Sequence, residues 1–413
     1  MTKVVHLQIA SEATGRAPLR LHQAFLKAGI DSSIITLRSS VNDDETIKQK
    51  KGYWPKVFAW LDHQIQSFLN RNNIKKFGLF SYPILGTNLS KMADVQNADF
   101  IYIHWTLGGF LNFRSFEQIA EIGKPVIFFM HDMWSITGGC HHSFTCEKYI
   151  SHCHNCQMFP YEKERDRSYK EFEKKIGLYT RFNNLSFVCP SKWLYDCAIK
   201  SRLTHDKPVY YIPNVIDQIF FKSFDKKTAK EILNIESSEK VIAFGAVSID
   251  SPYKGWLYLK EALNLLQQDE SFKDNVTVLI FGRGFNKSLA DSIPFKIKFM
   301  GFLRDEYSIK LSYNAADVFV APSLADNLPT TVLESLSCGT PVVGFNVGGI
   351  PDMIRNKENG YLAKYKDAYD LCTGIKFCLQ NKLKGFTLPD FAEELILKKH
   401  IDLQNAIKQP SLN

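Results

Sequence analysis

The segment 321–350, APSLADNLPTTVLESLSCGTPVVGFNVGGI, holds the side chains best spaced for chemistry. A buried strand is predicted to end at Pro322–Ser323, and a helix to begin around Pro329–Thr331, because proline is favoured at the first helical position. The first N–H groups of a helix have no intrahelical acceptor and can bind phosphate. Asp326 in the loop and Glu334 one turn into the helix would flank this anion site, where they could accept hydrogen bonds from a ribose and a sugar. Acidic residues also favour helix N-termini without any ligand.

A second motif is a run of four cysteines interleaved with histidines. Its spacing is C-x5-C-x6-C-x2-C, and its members are Cys140, Cys146, Cys153 and Cys156. Four thiols this close, ending in C-x2-C, predict a tetrahedral structural zinc site in a loop over 138–160, with four separate reduced cysteines as the alternative. The N-terminus MTKVVHLQIA is broken by polar residues and is not expected to be a secretory signal, so the compartment should be reducing.

The elements that must position these motifs alternate between strands and helices in the first half of the chain. Apolar runs predict buried strands at 4–10, 32–37, 99–105, 125–131 and 185–191. Runs that are apolar nearly throughout are typical of parallel strands covered on both faces. Helical patterns such as 17–29 lie between most of them, which predicts a doubly wound α/β sheet.

The same alternation begins again in the second half. Strands are predicted at 241–247, 276–282, 297–302, 318–323 and 340–346, with helices such as 256–268 and 308–316 between them. Two Rossmann-like domains, 1–213 and 214–390, are therefore expected to face each other across a cleft, with ligands at the carboxyl ends of the strands. A C-terminal helix over 391–413 is expected to return to the first domain.

Charge and apolar content restrict the class of protein. Apolar residues make up 45% of the chain, and no apolar run approaches the length of a membrane span, so an integral membrane protein is not expected. Residues 1–213 contain 27 Lys and Arg against 19 Asp and Glu, whereas 214–413 contain 24 of each. A basic half is typical of proteins with an anionic partner, although it also serves solubility. Residues 53–80 combine helically spaced apolar side chains with Lys and Arg, and such a segment either lies on a membrane interface or covers its own core.

The 321–350 segment resembles the E-x7-E region of family-4 retaining glycosyltransferases, which have the GT-B fold, with Asp326 in place of the first glutamate. The similarity extends over nearly the whole chain. In the second half, it includes YIPNVID (211–217), FGAV (244–247), Lys254–Gly255 and NGYLA (359–363). In the first half, it includes IHW (103–105), HDMWSITGGCH (131–141) and CPSKW (189–193).

This resemblance implies roles for individual residues. The position of Glu334 binds the ribose of a nucleotide sugar in the family, that of Asp326 lies near the sugar hydroxyls, and Lys254 would pair with the diphosphate. Contacts to the nucleotide sugar are also implied for Gly15, Asn327, Leu328, Pro329, Thr330 and Thr331. His131 would reach toward the sugar and completes the implied catalytic set with Asp326 and Glu334. His104 and Trp105 are the acceptor-side candidates.

Two features depart from the family pattern. The family often has an arginine shortly before the lysine, but GAVSIDSPYKG (245–255) has none, so Arg283 and Arg304 are candidates to replace it. Aspartate at 326 is one methylene shorter than glutamate, which could alter the preference for the sugar. The chain contains no D-x-D triplet, so no divalent ion bound in that way is expected in catalysis. Lys254 and the helix N-terminus would stabilise the departing phosphate instead.

The sequence thus predicts a cytoplasmic retaining glycosyltransferase of surface-polysaccharide assembly, peripheral at the inner membrane face. Its expected partners are a UDP- or GDP-sugar, a saccharide or lipid-linked acceptor and an anionic membrane. Two other functions are considered: a GT-B-fold sugar-nucleotide epimerase, which needs no acceptor, and a zinc-bearing nucleic-acid-binding protein. The basic residues form no dense tract with interleaved aromatics, so nucleic acid is not expected as a partner.

Overall fold

Two parallel sheets form the framework of the protein in the computed structural model, which describes residues 1–11, 16–39, 44–70, 77–159 and 163–408. The strands of the first sheet are β1 Lys3–Ala10, β2 Asp31–Arg38, β3 Ile47–Gln49, β4 Phe100–Ile103, β5 Val126–Phe129, β6 Leu185–Cys189 and β7 Val209–Tyr211. Those of the second sheet are β8 Lys240–Ser248, β9 Val276–Arg283, β10 Lys296–Phe299, β11 Val318–Ala321, β12 Val342–Phe345 and β13 Gly360–Ala363.

Both sheets have the doubly wound strand order. The first runs β3-β2-β1-β4-β5-β6-β7 and the second β10-β9-β8-β11-β12-β13. Neighbouring strands pair in parallel, for example Val4 with Phe100 and Phe319 with Val342. The order reverses between β1 and β4 in one sheet and between β8 and β11 in the other. In open α/β sheets, ligands bind beyond the strand ends at this reversal.

Helices connect the strands and cover the sheets. In the first half they are α1 Arg16–Lys27, α2 Tyr53–Asn70, α3 Ala93–Asn97, α4 Phe113–Ala120, α5 Arg167–Arg181 and α6 Lys192–Lys200. In the second half they are α7 Lys226–Ile232, α8 Trp256–Gln267, α9 Lys287–Ala290, α10 Glu306–Ala315, α11 Thr330–Ser337, α12 Ala368–Gln380 and α13 Glu393–Lys408. Among the described helices, none is long and apolar enough to cross a membrane.

The chain divides into two compact units. The first comprises Met1–Val215 and the segment that begins at Glu393, and the second comprises Ile216–Ala392. The predicted division after Pro213 therefore lies two residues before the observed one. Helix α13 belongs to the first unit because Ile396 and Leu403 pack into an apolar cluster of that unit, together with Phe25 and Tyr102.

The pattern of apolar runs locates ten of the described strands but misses β3, β7 and β13. Strands β3 and β7 have only three residues each with little burial, and β13 is an edge strand that is half-buried at its centre. Helix α11 begins at Thr330, within the predicted range, and Pro329 is its N-cap residue instead of its first helical residue. Of the amphipathic segment 53–80, the helix α2 covers Tyr53–Asn70, and 71–76 lie outside the described residues.

Candidate active site

The site is built where β11 ends and α11 begins, at the reversal of strand order in the second unit. After β11 the chain passes through a short loop that carries Ser323 and Asp326. The Asp326 carboxylate lies 2.7 Å from the Lys254 ammonium and accepts a hydrogen bond of 3.1 Å from the Ser323 hydroxyl. A cation, a carboxylate and a helix N-terminus thus share one end of the sheet, and this combination suits a phosphorylated ligand.

Two backbone features hold the Lys254 turn against the β11 loop. The Leu324 amide donates a hydrogen bond of 2.7 Å to the Tyr253 carbonyl. Gly255, with φ 69°, is the N-cap of α8, and a Cβ on it would lie 1.8 Å from the Pro322 carbonyl oxygen. Only glycine allows both this left-handed conformation and this close approach, so the packing of the two turns requires Gly255 next to Lys254.

Electrostatics keep Lys254 charged. Burial would lower the pKa of the Lys254 ammonium, but the adjacent Asp326 carboxylate outweighs burial and raises the pKa above its ordinary value. Lys254 is about a quarter exposed and Asp326 about a seventh, so the pair remains open to a ligand at one side. In this arrangement, the Lys254 ammonium can leave the Asp326 carboxylate and pair with the phosphate of a ligand.

Glu334 is positioned from beneath by a buried tyrosine. The carboxylate lies in the second turn of α11 and is 3% exposed. Its Oε2 accepts a hydrogen bond of 3.0 Å from the Tyr313 hydroxyl, and Tyr313 is completely buried in α10. Tyr313 was not among the predicted site residues, because a tyrosine at a helical core position gives no signal of its contact in the sequence.

The other predicted residues of this site lie along the same loop and helix start. Asn327, Leu328 and Pro329 are buried, and Thr330 and Thr331 are half-buried. A Cβ on Gly348 would lie 1.9 Å from the Asp326 carbonyl oxygen, so the loop after β12 packs directly on this segment.

The two arginines proposed as substitutes are both exposed. The Arg283 guanidinium lies over the Phe302 ring, 4.1 Å from its centroid, and Arg304 follows two residues after Phe302. That either of them contacts a phosphate stays a prediction. Gly15 lies outside the described residues, so its predicted role is not addressed by the structure.

In the first unit, His131 and Trp105 lie at the carboxyl ends of β5 and β4. Both line a cavity of about 20 Å³ together with His104 and Asp132. His131 is half-buried, and burial lowers its pKa to about 4 against the opposing effect of Asp132, so this imidazole is neutral at physiological pH. A neutral imidazole can donate or accept one hydrogen bond to a sugar oxygen.

His104 is used inside the protein. It is 8% exposed, its Nε2 lies 2.9 Å from His6 Nδ1 and its Nδ1 lies 3.0 Å from His131 Nε2. Because both ring nitrogens are bonded to other histidines, His104 links β1 to β5. The sequence had suggested instead that His104 faces the acceptor. Trp105 remains the acceptor-side candidate of this pair.

The four clustered cysteines are all free. Cys153 is buried, and Cys140, Cys146 and Cys156 are half-buried. Among the described residues, no group of three or more His, Cys, Asp or Glu side chains is arranged to hold a metal ion. That these cysteines bind a structural zinc ion stays a prediction.

Comparison with known proteins finds a family match within the second unit. Residues 238–381 match the family model described as "Glycosyl transferases group 1". This match covers β8 to α12 and includes Lys254, Asp326 and Glu334.

Two curated proteins are similar over different lengths. The putative colanic acid biosynthesis glycosyl transferase WcaC of Escherichia coli K12 is 22% identical over 402 residues, which cover 94% of this chain and 93% of that protein. The UDP-Gal:alpha-D-GlcNAc-diphosphoundecaprenol alpha-1,3-galactosyltransferase of Escherichia coli is 26% identical over 223 residues. That alignment covers 52% of this chain and only 56% of the relative, so it spans little more than half of that enzyme.

Solved structures show the same fold. The Anabaena protein HepE in complex with UDP and glucose superposes with a TM-score of 0.61 at 15% identity, covering 99% of this chain and 100% of that one. This likeness identifies the fold as GT-B, as the sequence predicted. Neither an epimerase nor a zinc-bearing nucleic-acid-binding protein finds support in these comparisons.

Proposed function

The chain carries a glycosyl transferases group 1 domain over residues 238–381, and from this premise we propose that it is a retaining, metal-independent glycosyltransferase. It would move a sugar from a nucleotide sugar to a lipid-linked saccharide in surface-polysaccharide assembly. The observation that carries the proposal is the Lys254–Asp326 ion pair beside the start of α11, with Glu334 buried one turn further on. Two similar proteins named for colanic acid biosynthesis and for an undecaprenol-linked acceptor support the pathway class.

In the proposed reaction, the diphosphate of the nucleotide sugar replaces Asp326 as the ion-pair partner of Lys254. The released Asp326 carboxylate then accepts hydrogen bonds from sugar hydroxyls, and Glu334 accepts them from the ribose. The bond between the anomeric carbon and the phosphate oxygen breaks, and its electron pair stays on the phosphate. The acceptor oxygen bonds to the anomeric carbon on the same face, and its proton passes to the departing phosphate. Lys254 and the N–H groups at the start of α11 stabilise the negative charge that develops.

A thermal-shift screen against UDP-, GDP-, ADP- and CMP-sugars tests this proposal. We expect one nucleotide to raise the melting temperature, and Lys254→Ala and Glu334→Ala to abolish the shift. Lys227→Ala, which removes an exposed lysine of the same unit, should leave it intact. Product analysis separates transfer from epimerisation, since an epimerase converts the nucleotide sugar without an acceptor. A shift that survives both site variants would contradict the proposed site.

Metal independence has its own measurement. Because Lys254 and the helix N-terminus supply the positive charge that a divalent ion would otherwise provide, we expect transfer to continue after dialysis against a chelator. The rate with added Mg²⁺ or Mn²⁺ should stay within about two-fold of the chelated sample. Loss of transfer on chelation, restored by a divalent ion, would contradict this part of the proposal.

We further propose that α2 contacts the membrane that bears the acceptor. Tyr53, Trp54, Trp60 and Phe68 on this helix are each more than 60% exposed, and rings of Trp and Tyr favour the membrane–water interface. Sedimentation with anionic vesicles at low salt should carry the protein down, and Trp54→Ser with Trp60→Ser should abolish this. The control replaces Tyr307 and Tyr369 of the second unit, which are equally exposed, by serine. If the wild-type protein stays in the supernatant, the membrane proposal fails.

A further inference from the structure

Three histidines from neighbouring strands form a continuous hydrogen-bonded row in the first unit. His6 lies in β1, His104 directly follows β4 and His131 follows β5, and these strands are adjacent in the sheet. His6 Nδ1 lies 2.9 Å from His104 Nε2, and His104 Nδ1 lies 3.0 Å from His131 Nε2. The ring centroids are 5.2 Å apart in both pairs. The row runs from the interior of the unit to the cavity at the strand ends.

The row is neutral. His6 is fully buried, and burial lowers the pKa of His6 and of His104 far below the ordinary value. The other titratable groups that face it include His22 on α1, Tyr102 on β4, His400 on α13 and Asp132 next to His131. Burial lowers the pKa of His22 and of His400 and raises that of Tyr102. The Asp132 carboxylate is engaged by His141, 2.6 Å away.

A neutral imidazole carries one proton, so it donates from one nitrogen and accepts at the other. Two hydrogen bonds in series can therefore run in only two directions. In the outward direction, each histidine carries its proton on Nδ1, and His131 presents an N–H group beyond the row. In the inward direction, each carries its proton on Nε2, and His131 presents a bare nitrogen.

The buried end of the row decides between the two directions. His6 Nε2 is buried and has no hydrogen-bond partner among the described residues. The inward direction would place an N–H group at this position, and buried N–H groups without an acceptor are rarer than unsatisfied acceptors. The outward direction leaves only a lone pair there.

We propose that His6 and His104 are positioning residues that hold His131 as the tautomer with its proton on Nδ1, so that His131 serves as a neutral hydrogen-bond donor to a ligand oxygen. The inference rests on the proposed function in one respect, namely that the ligand at His131 is a saccharide of the transfer reaction. A sugar hydroxyl or a carboxylate oxygen can accept a hydrogen bond from this N–H group, whereas a group that is only a hydrogen-bond donor cannot. His131 would then not be available at Nδ1 as a general base.

The tautomers can be read by ¹⁵N NMR of the full chain labelled at histidine, without nucleotide sugar. The row predicts protonated Nδ1 and bare Nε2 for His6, His104 and His131, which is the reverse of the tautomer that free histidine prefers. A His131 protonated at Nε2, or a doubly protonated His131 at pH 7, would overturn the proposal. Because no ligand is present, this outcome is independent of whether the proposed function holds.

Variants then test the link between the row and the ligand. His104→Phe removes the acceptor and the donor in the middle of the row, and we expect His131 to shift toward the Nε2 tautomer and kcat/KM to fall about 10-fold. The matched control is His22→Phe, since His22 is a buried neighbour of His6 that bonds to Ser32 and Thr46 outside the row. It should leave the His131 tautomer unchanged. If the tautomer of His131 is unchanged in His104→Phe, the proposal is overturned. If that variant does not fold, the ¹⁵N spectrum of the wild-type protein decides the question.

Discussion

The Lys254 ammonium and the Asp326 carboxylate lie 2.7 Å apart, although 72 residues separate them in the chain. One residue follows β8 and the other follows β11, the two strands between which the order of the second sheet reverses. The cation that would bind a diphosphate is therefore already paired with an anion in the same site. A ligand phosphate must compete with Asp326 for this cation.

This competition predicts opposite effects of Asp326→Asn on binding and on transfer. Without the carboxylate, Lys254 is free for the phosphate, so the nucleoside diphosphate selected by the thermal-shift screen should bind about 3- to 10-fold more tightly. Transfer should slow by at least about 10-fold, because the sugar hydroxyls lose a charged acceptor. Calorimetric titration and initial rates measure the two quantities.

Asp269→Asn is the matched control for that variant. Asp269, two residues after α8, pairs at 2.8 Å with Lys376 of α12 in the same unit. Replacing Asp269 should change neither the affinity for the nucleoside diphosphate nor the rate of transfer. Weaker nucleotide binding by Asp326→Asn would contradict competition for Lys254.

Tyr313→Phe tests the support of Glu334. The variant removes only the hydroxyl that donates to Glu334 Oε2. The free energy of unfolding should fall by about 1 kcal/mol, and nucleotide affinity should fall about 5-fold, because Glu334 loses a fixed donor. Tyr361→Phe removes a comparable hydroxyl bonded to Asp370 at 2.9 Å and should spare nucleotide affinity. Equal affinities for both variants would show that Tyr313 does not position Glu334.

Gly255→Ala tests the close approach of the two turns. The added Cβ would collide with the Pro322 carbonyl oxygen, so we expect a loss of about 3 kcal/mol in the free energy of unfolding, together with loss of nucleotide binding. Gly301 has a similar φ of 70° but nothing within 4 Å of the added Cβ. Gly301→Ala should therefore cost only about 1 kcal/mol, the strain of the left-handed conformation. Chemical denaturation compares the two variants.

Asp62 on α2 predicts a pH dependence of stability. Both carboxylate oxygens are buried, and burial raises the pKa of Asp62 to about 6 against the opposing effects of Gln66 and Leu85. The folded protein thus holds a proton that the unfolded chain releases near pH 4, so stability should fall as the pH rises from about 4 to about 6 and stay lower above that. Two pKa units correspond to about 2.7 kcal/mol, and screening by solvent reduces the expected loss to about 2 kcal/mol.

Asp62→Asn removes the ionised form and should flatten that part of the stability profile. Above pH 7 the variant should be more stable than the wild-type protein, as measured by urea denaturation at several pH values. Asp206→Asn, at an exposed position of the same unit, should leave the profile unchanged. A wild-type profile that does not fall between pH 4 and pH 6 would contradict a raised pKa.

Much of the fold could be predicted because long buried parallel strands are apolar at nearly every position. The runs 241–247 and 276–282 fall on β8 and β9 for this reason. The short strand β3, Ile-Lys-Gln, has no such pattern, since it is held by pairing with β2 and not by its own burial. Asp326, Glu334 and Lys254 were found through a family pattern of spacing, whereas Tyr313 and His6 lie at ordinary core positions and carry no local signal.

The sequence by itself determined where most of the strands lie, and therefore which side chains could meet near the carboxyl ends of the sheets. This follows because apolar content and turn chemistry are local properties of the chain. Only the tertiary structure decided which side chains contact each other. Lys254 pairs with Asp326, Tyr313 donates a hydrogen bond to Glu334, and His104 links two histidines. These contacts join residues from different strands and helices, and their geometry depends on strand order and on close packing at positions such as Gly255.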